Sequence, residues 1–365
     1  MNFSIKPIKL ILGFALCGAT FVACDTEKAD AKQAAVSKQA PAEQAATEKI
    51  EAQAPQAPIE KKNLVVLATG GTIAGAGEPG KDIGYKSGAI PAEQLIAAVP
   101  GLADIANITT EQVCNINSDD VNASIWFTLA ARIQELLASD SVDGIIITHG
   151  TDTMEETAFF LSLVLKATKP VVMTGSMRPS TAAEPDGPAN LLLAAKVAAG
   201  LEQSEKCGIT CVAFAGDVYK AANVQKVDAN ALAAFAAIGN SNPDLKFDVS
   251  NQKKLPKVST LFFNAESDAG LLSYAIKNSK GIVIAGAGAG EFSKEWIDVL
   301  SKAKIPVVIT TRINRGAIVP GQLLVPGTIA SYGLPPAKAA VLLRLALTKT
   351  SNAAEIQEMF AKFAE

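Results

Sequence analysis

LVVLATGGTIAG, residues Leu64–Gly75, is the stretch whose reading decides the fold. Leu64 to Ala68 is an unbroken apolar run, the pattern of a strand buried on both faces of a parallel sheet. It runs straight into Thr69-Gly70-Gly71-Thr72. Two glycines after a buried strand permit a tight turn that brings backbone amides and a hydroxyl into the crevice beyond the strand end. In open α/β sheets that crevice is where ligands sit. Thr72 therefore stands where a nucleophile could work. The same pattern also describes a plain strand-to-loop turn whose glycines only supply unusual dihedrals. A phosphate loop is disfavoured, because Gly-Lys-Ser/Thr is missing where that motif needs it.

The logic repeats downstream. Gly144–Thr157 reads GIIITHGTDTMEET. Ile145 to Thr148 is a second buried strand, and His149-Gly150-Thr151-Asp152 is a polar turn. Thr153 is expected to cap a helix, with Glu156 at capping-box spacing. Two strand ends that each present Gly and Thr can face one crevice. A third strand, Pro170 to Thr174, leads into GSMRPSTAAEPDGPANL. A fourth, Gly208 to Gly216, precedes DVYK at 217–220 and NVQK at 223–226. Lys226 alone reads as a solvated surface lysine; in an apolar crevice a lysine can take part in proton transfer.

Between the first two strand ends, Gly75, Gly77, Pro79, Gly80 and Gly84 lead to Tyr85. That composition suits a mobile lid or an ordinary surface loop. Pro91 to Ala98 reads as a short helix starting at a proline. Asn107 to Ser118 reads as a strand, ending in Asn117-Ser118-Asp119-Asp120, a turn or a binding loop. Asn122 to Ala138 is an amphipathic helix whose Ile125, Leu129, Ile133 and Leu137 are core.

The whole chain has 365 residues, room for two domains. Its formal net charge of -3 and the lack of a basic stripe argue against nucleic acid. A hydrophobic content of 49% with only 5% aromatics fits packed α/β layers. The single histidine, His149, excludes a multi-His metal site. Residues 1–24 read as an export signal, with Lys6 and Lys9 ahead of an apolar Leu10 to Val22 too short to span a membrane. It ends Phe21-Val22-Ala23-Cys24, which resembles the bacterial lipobox, with Phe21 where that pattern prefers Leu. Cys24 is then the lipidated first residue of the mature chain; an uncleaved anchor or simple secretion are the alternatives. Residues 25–62, rich in Ala, Gln, Glu, Lys and Pro, read as a flexible tether. Residues 63–240 form a first α/β domain and 241–255 a linker. In 256–365 the alternation restarts, with strands at Thr260 to Phe263, Gly281 to Ala285 and Pro306 to Thr310 and a final helix pair from Pro336.

ATGGTIAG at 68–75, ITHGTDTMEET at 147–157, MRPSTAAEPDGPAN at 177–190 and the Lys226 region, in that order, resemble the bacterial type II L-asparaginases. LPKV at 255–258 and AAVLLRLALT at 339–348 extend the likeness to the C-terminus. The resemblance implies a larger N-terminal three-layer α/β domain and a smaller flavodoxin-like C-terminal α/β domain. It implies hydrolysis of L-asparagine to L-aspartate and ammonia, with some action on L-glutamine, and neither a metal nor an organic cofactor. It also implies a homotetramer with each site at the junction of two subunits. Together with the signal it implies a periplasmic or cell-envelope enzyme that touches membrane only through a lipid anchor.

Carried over by position, Thr72 is the nucleophile and Tyr85 its lid-borne activator. Thr151, Lys226 and Asp152 form a second hydrogen-bonded set. Ser118 and Asp119 hold the α-carboxylate and α-amino ends of the substrate, and Asp152 can also meet the ammonium. The backbone amides of Thr72 and Thr151 are candidates for an oxyanion hole. His149 reads as structural rather than as a base. Three departures from the family pattern stand out. Asp119 replaces a common Gln, Ala289 replaces an Asn that reaches the neighbouring subunit in some members (Glu291 being a possible substitute), and an acidic segment between Ala317 and Ser331 is shortened. The rival reading is an amino-acid-binding lipoprotein that kept the pocket without turnover. The second threonine-lysine set argues against it, since a mere binder does not need one.

The cysteines carry one further expectation. Read as the two ends of a single extended strand, Cys207 and Cys211 lie roughly 13 Å apart at about 3.3 Å per residue, too far for a disulfide. Free buried thiols are therefore expected in the globular region. The cysteines that pair in some relatives are replaced here, near Ser139 and Ala167.

Overall fold

A computed structural model describes residues 61–208, 210–239 and 244–364. The signal, Cys24 and the tether as far as residue 60 lie outside the described residues. The first sheet has six strands: β1 (Lys62–Gly70), β2 (Ala106–Ile116), β3 (Gly144–Thr148), β4 (Val171–Thr174), β5 (Thr210–Phe214) and β6 (Asp217–Lys220). Their order is β2-β1-β3-β4-β5-β6, with β1 to β5 parallel and β6 antiparallel. β1 lies between β2 and β3: Val65 pairs with Thr109 on one side and Ile145 on the other. This is the flavodoxin-type order 2-1-3-4-5. The progression of strand order reverses at β1, and the ligand crevice opens beyond the carboxyl ends of the strands at that point.

Side-chain alternation builds the three layers. Val65, Leu67, Ile145, Ile147, Val171 and Met173 face helices Ala123–Leu137 and Met154–Val164, against Trp126, Leu129, Ile133, Phe159 and Phe160. Leu64, Val66, Ile146 and Val172 face helix Gly187–Ala198, against Leu191, Ala194 and Ala195. Every one of these side chains is buried. Burial of each large apolar one contributes about 1.5–3 kcal/mol. Helix Ala123–Leu137 starts where the sequence says it should, because the Asn122 side chain accepts the N–H groups of Ser124 and Ile125.

A small antiparallel pair, β7 (Val224–Lys226) and β8 (Phe235–Ala237), follows β6. The second sheet contains β9 (Val258–Phe262), β10 (Gly281–Gly286), β11 (Val307–Thr311) and β12 (Ile329–Ala330) in the order β12-β11-β10-β9, all parallel. Helices Ala269–Asn278 and Lys294–Leu300 cover one face through Leu272 and Trp296. Helix Pro336–Ala346 covers the other. Its Val341 and Leu342 share one buried cluster with Val283 and Val308 of this sheet and with Phe159 of the first domain. The two domains are thus joined through a common core. Residues 244–257 lie outside helices and strands.

Two expectations fail here. Thr153 stands at the N-cap of helix Met154–Val164 but makes no side-chain cap. Its hydroxyl donates instead to the Ser118 carbonyl at 2.7 Å, tying the β3 turn to the β2 turn. The expectation of free thiols at Cys207 and Cys211 is also overturned, for the two form a disulfide with Cα atoms 4.9 Å apart. The premise of one extended strand was wrong. Cys207 ends a single helical turn, Ser204–Cys207, and Gly208 follows at φ 62°, so the chain folds back before β5 begins. Cys114 is free and half-buried.

Candidate active site

Three strand ends converge at the switch point. At the end of β1, Gly70 has φ 100° and the following Gly71 φ 77°. A Cβ on Gly71 would lie 2.5 Å from the Gly150 nitrogen, so the β1 and β3 turns touch backbone to backbone and only glycine fits. A Cβ on Gly150 would in turn lie 2.8 Å from Ser118 Oγ, which follows β2. Thr72, Thr151 and Ser118 are therefore brought into one cluster by the contacts of their glycine neighbours. Ser118 and Thr151 are buried. Asp119 is exposed at the rim, in the short turn Ser118–Asp120.

Thr72 Oγ1 lies 2.8 Å from Tyr85 Oη. The tyrosine ring occupies space that any side chain on Gly75 would fill, since a Cβ there would meet Tyr85 Cδ2 at 2.7 Å. Tyr85 belongs to a loop closed by mutual backbone hydrogen bonds between Ala76 and Lys86. That loop rests on the 177–190 segment. Ser180 Oγ donates to the Gly75 carbonyl at 2.6 Å, Thr181 Oγ1 accepts the Gly77 N–H at 3.0 Å, and Arg178 approaches Asp82 at 3.6 Å. The segment is shaped by Asp186, whose carboxylate accepts the N–H groups of Met177 and Arg178 at 2.9 Å each. MRPSTAAEPDGPAN is thus the bed of the Tyr85 loop. Its sequence announces a turn, but not what the turn supports.

On the other side Lys226, from β7, donates to Thr151 Oγ1 at 2.9 Å and to Asp152 Oδ1 at 2.6 Å. The lysine is mostly buried (15% exposed) and the aspartate mostly open (71%). The Lys226 backbone N–H donates to Glu155 Oε2 at 2.6 Å. Burial pushes the Glu155 carboxyl above its usual range, against the pull of Lys338 and Lys226. Among the described residues the N–H groups of Thr72 and Thr151 have no acceptor within the protein.

His149 is fully buried. Trp126 Nε1 donates to Thr157 Oγ1 at 2.9 Å, which leaves the threonine hydroxyl to donate to His149 Nε2 at 3.1 Å. Nδ1 then carries the proton and donates to the Gly150 carbonyl at 2.8 Å. Desolvation lowers the imidazole pKa to about 4. A neutral ring held between a helix and the turn that presents Thr151 acts as a strut.

The five positions read as catalytic thus fall into two hydrogen-bonded sets, Thr72–Tyr85 and Thr151–Lys226–Asp152, on adjacent strand ends. Sequence reasoning missed Glu155, Asp186 and Lys338. Glu155 sits inside ITHGTDTMEET and Asp186 inside MRPSTAAEPDGPAN; Lys338 sits in a helix that reads as ordinary.

Comparison with known proteins follows the same division. Residues 63–252 match the family described as "Asparaginase, N-terminal", and residues 257–360 match "Glutaminase/Asparaginase C-terminal domain". The chain is 39% identical over 351 residues to "L-asparaginase 2" of Bacillus subtilis, covering 89% of this chain and 93% of that protein. It is 39% identical over 331 residues to "Probable L-asparaginase periplasmic" of Haemophilus influenzae, covering 82% and 93%. It superposes on the crystal structure of "Probable Cytoplasmic L-asparaginase from Campylobacter jejuni" with a TM-score of 0.77 at 38% identity, covering 83% of this chain and 100% of that one. With both halves matched and the identity sustained across them, the chain belongs to the asparaginase family.

Proposed function

We propose that this chain is an exported L-asparaginase that also accepts L-glutamine, with Thr72 as its nucleophile. The observation that carries the reading is the pair of hydroxyl sets on touching turns. Thr72 Oγ1 is hydrogen-bonded to Tyr85 Oη, and Thr151 Oγ1 is hydrogen-bonded to Lys226 Nζ. Thr72 Oγ attacks the side-chain amide carbon as its proton leaves through Tyr85 Oη. The uncommitted amides of Thr72 and Thr151 receive the developing oxyanion. The leaving amide nitrogen takes up that proton from Tyr85 Oη and departs as ammonia, and an acyl ester remains on Thr72. Water cleaves that ester at the same carbon, releasing the acid and restoring the hydroxyl. Lys226 balances the Asp152 charge and orients Thr151. Ser118 and Asp119 take the α-carboxylate and α-amino ends, with Asp152 beside the ammonium.

Residues 1–24 act as the signal, Cys24 as the lipidated residue, 25–62 as the tether, and 63–240 and 256–365 as the two domains around a 241–255 linker. A disulfide in the globular region suits an oxidising compartment. Exposed apolar side chains on the second domain, Phe262, Leu271 and Tyr274, suit burial in a homotetramer.

The test is ammonia release from both amides by residues 25–365, beside a Thr72→Ala variant. Wild-type turnover with a loss of roughly 10³-fold or more in the variant is expected. An inactive wild type that still binds asparagine or aspartate would replace this reading with a binding lipoprotein.

A further inference from the structure

Lys338 is a charge in an unusual place. It is 1% exposed and sits in the first turn of helix Pro336–Ala346. A cation at a helix N-terminus opposes the helix dipole, and a buried ammonium needs full compensation. Local preference does not explain this residue.

Its partners do. The ammonium donates to three backbone carbonyls, those of Ala221 at 2.9 Å, Ala222 at 3.0 Å and Val224. Three donors meet three acceptors, so the group is saturated. Ala221 and Ala222 lie between β6 and β7, and Val224 opens β7, the strand that ends in Lys226. The Phe159 ring centroid is 5.5 Å from the nitrogen. Glu155, on the helix that follows the Thr151–Asp152 turn, holds the same segment from its other end through the Lys226 N–H. Glu155 and Lys338 also attract one another, which offsets part of the desolvation that lowers the lysine to about 8.

We infer that Lys338 is a positioning residue for the reaction: a side chain of the C-terminal domain that fixes where Lys226 of the N-terminal domain presents its ammonium to Thr151 and Asp152. The inference rests on the role given above to Lys226. It explains how the segment 221–226, whose own ladder is only the three-residue pair with β8, holds a side chain to hydrogen-bond tolerance. It also gives the second domain a direct part in the chemistry of its own protomer.

The experiment is a double-mutant cycle on asparagine hydrolysis by the full globular chain, with Lys338→Met, Lys226→Met and both together. Lys338→Met is expected to lower kcat about 10- to 100-fold while KM changes less than about threefold. In the Lys226→Met background the same substitution is expected to cost less than about twofold, because there is no longer an ammonium to misplace. A purely structural lysine would produce equal losses in both backgrounds, and that result overturns the proposal while leaving the role of Lys226 intact. Normal turnover by Lys226→Met alone removes the role of Lys226, and this inference with it. If Lys338→Met does not fold, Lys338→Gln, which keeps two donors on a shorter stem, enters the same cycle with the same criterion.

Discussion

Acid should destabilise this protein through one buried imidazole. An unfolded histidine takes up its proton near 6.5, whereas folded His149 does so at about 4. Between those values the unfolded chain binds more protons than the folded one, so stability falls as the pH falls. The contribution is fully present above pH 6.5 and exhausted below pH 4. The gap of about 2.5 units corresponds to about 3.4 kcal/mol in all, at about 1.36 kcal/mol per unit. Integrated between pH 7 and pH 4.5, about 2.4 kcal/mol of it is lost. The measurement is denaturant unfolding at those two pH values for wild type and for His149→Gln. Carboxylates titrate in both proteins, so the difference between the two declines isolates the imidazole. Because the chain holds one histidine, its ring resonance is also unambiguous by NMR. Equal declines, or a native imidazole that titrates near 6.5, would refute the burial argument and with it the strut between Thr157 and Gly150.

Gly71→Ala puts a Cβ 2.5 Å from the Gly150 nitrogen at a backbone φ of 77°. Neither backbone can yield without moving Thr72 or Thr151. The expected cost is about 3 kcal/mol of stability and a fall in kcat of about 100-fold or more, read by thermal unfolding and ammonia release; a variant as stable and active as wild type would contradict the touching turns. Opening the Cys207–Cys211 bridge should lower stability by about 2 kcal/mol, the loop-entropy value for so short a closure. Unfolding with and without reductant measures it, and peptide mapping without reductant should recover the two cysteines linked. Recovery of both as free thiols in oxidised protein would restore the extended-strand reading.

Much of this architecture was legible because buried parallel strands write themselves as apolar runs. LVVLA and IIIT mark β1 and β3, and the glycines behind them mark where the chain must turn. Thr72 and Thr151 stand out for the same reason, as hydroxyls behind the glycines of two strand ends, although either stretch alone also reads as a plain turn. The cysteine pair is not legible because the apolar pattern starts the strand at Gly208, two residues before β5 begins at Thr210. In extended geometry two residues move an atom by about 6–7 Å, the difference between an impossible bridge and an ordinary one. The role of Thr153 is not legible because a capping box weighs side chains against the local helix only, and the acceptor of its hydroxyl belongs to another strand end.

Lys338 shows the harder limit. Its partners are the carbonyls of Ala221, Ala222 and Val224, and carbonyls carry no residue identity. Nothing at positions 221–224 could have told a reader of the sequence that a lysine more than a hundred residues away was required. Within PAKAAVLLRLA the lysine scans as one more polar position near a helix start. What marks it is an inconsistency visible only in three dimensions: a full charge buried against the helix dipole, with all three of its hydrogen bonds going to main chain. Where a local rule is broken and every donor is nonetheless satisfied, the compensation lies in what the bonded segment carries. Here that segment carries Lys226. Asp152 and Thr151, by contrast, were legible because they stand next to one another in a motif. The half of the site that approaches from β7 depends on contacts between the two domains, and those are set by packing of helix Pro336–Ala346 on Phe159 and β10 rather than by any local pattern.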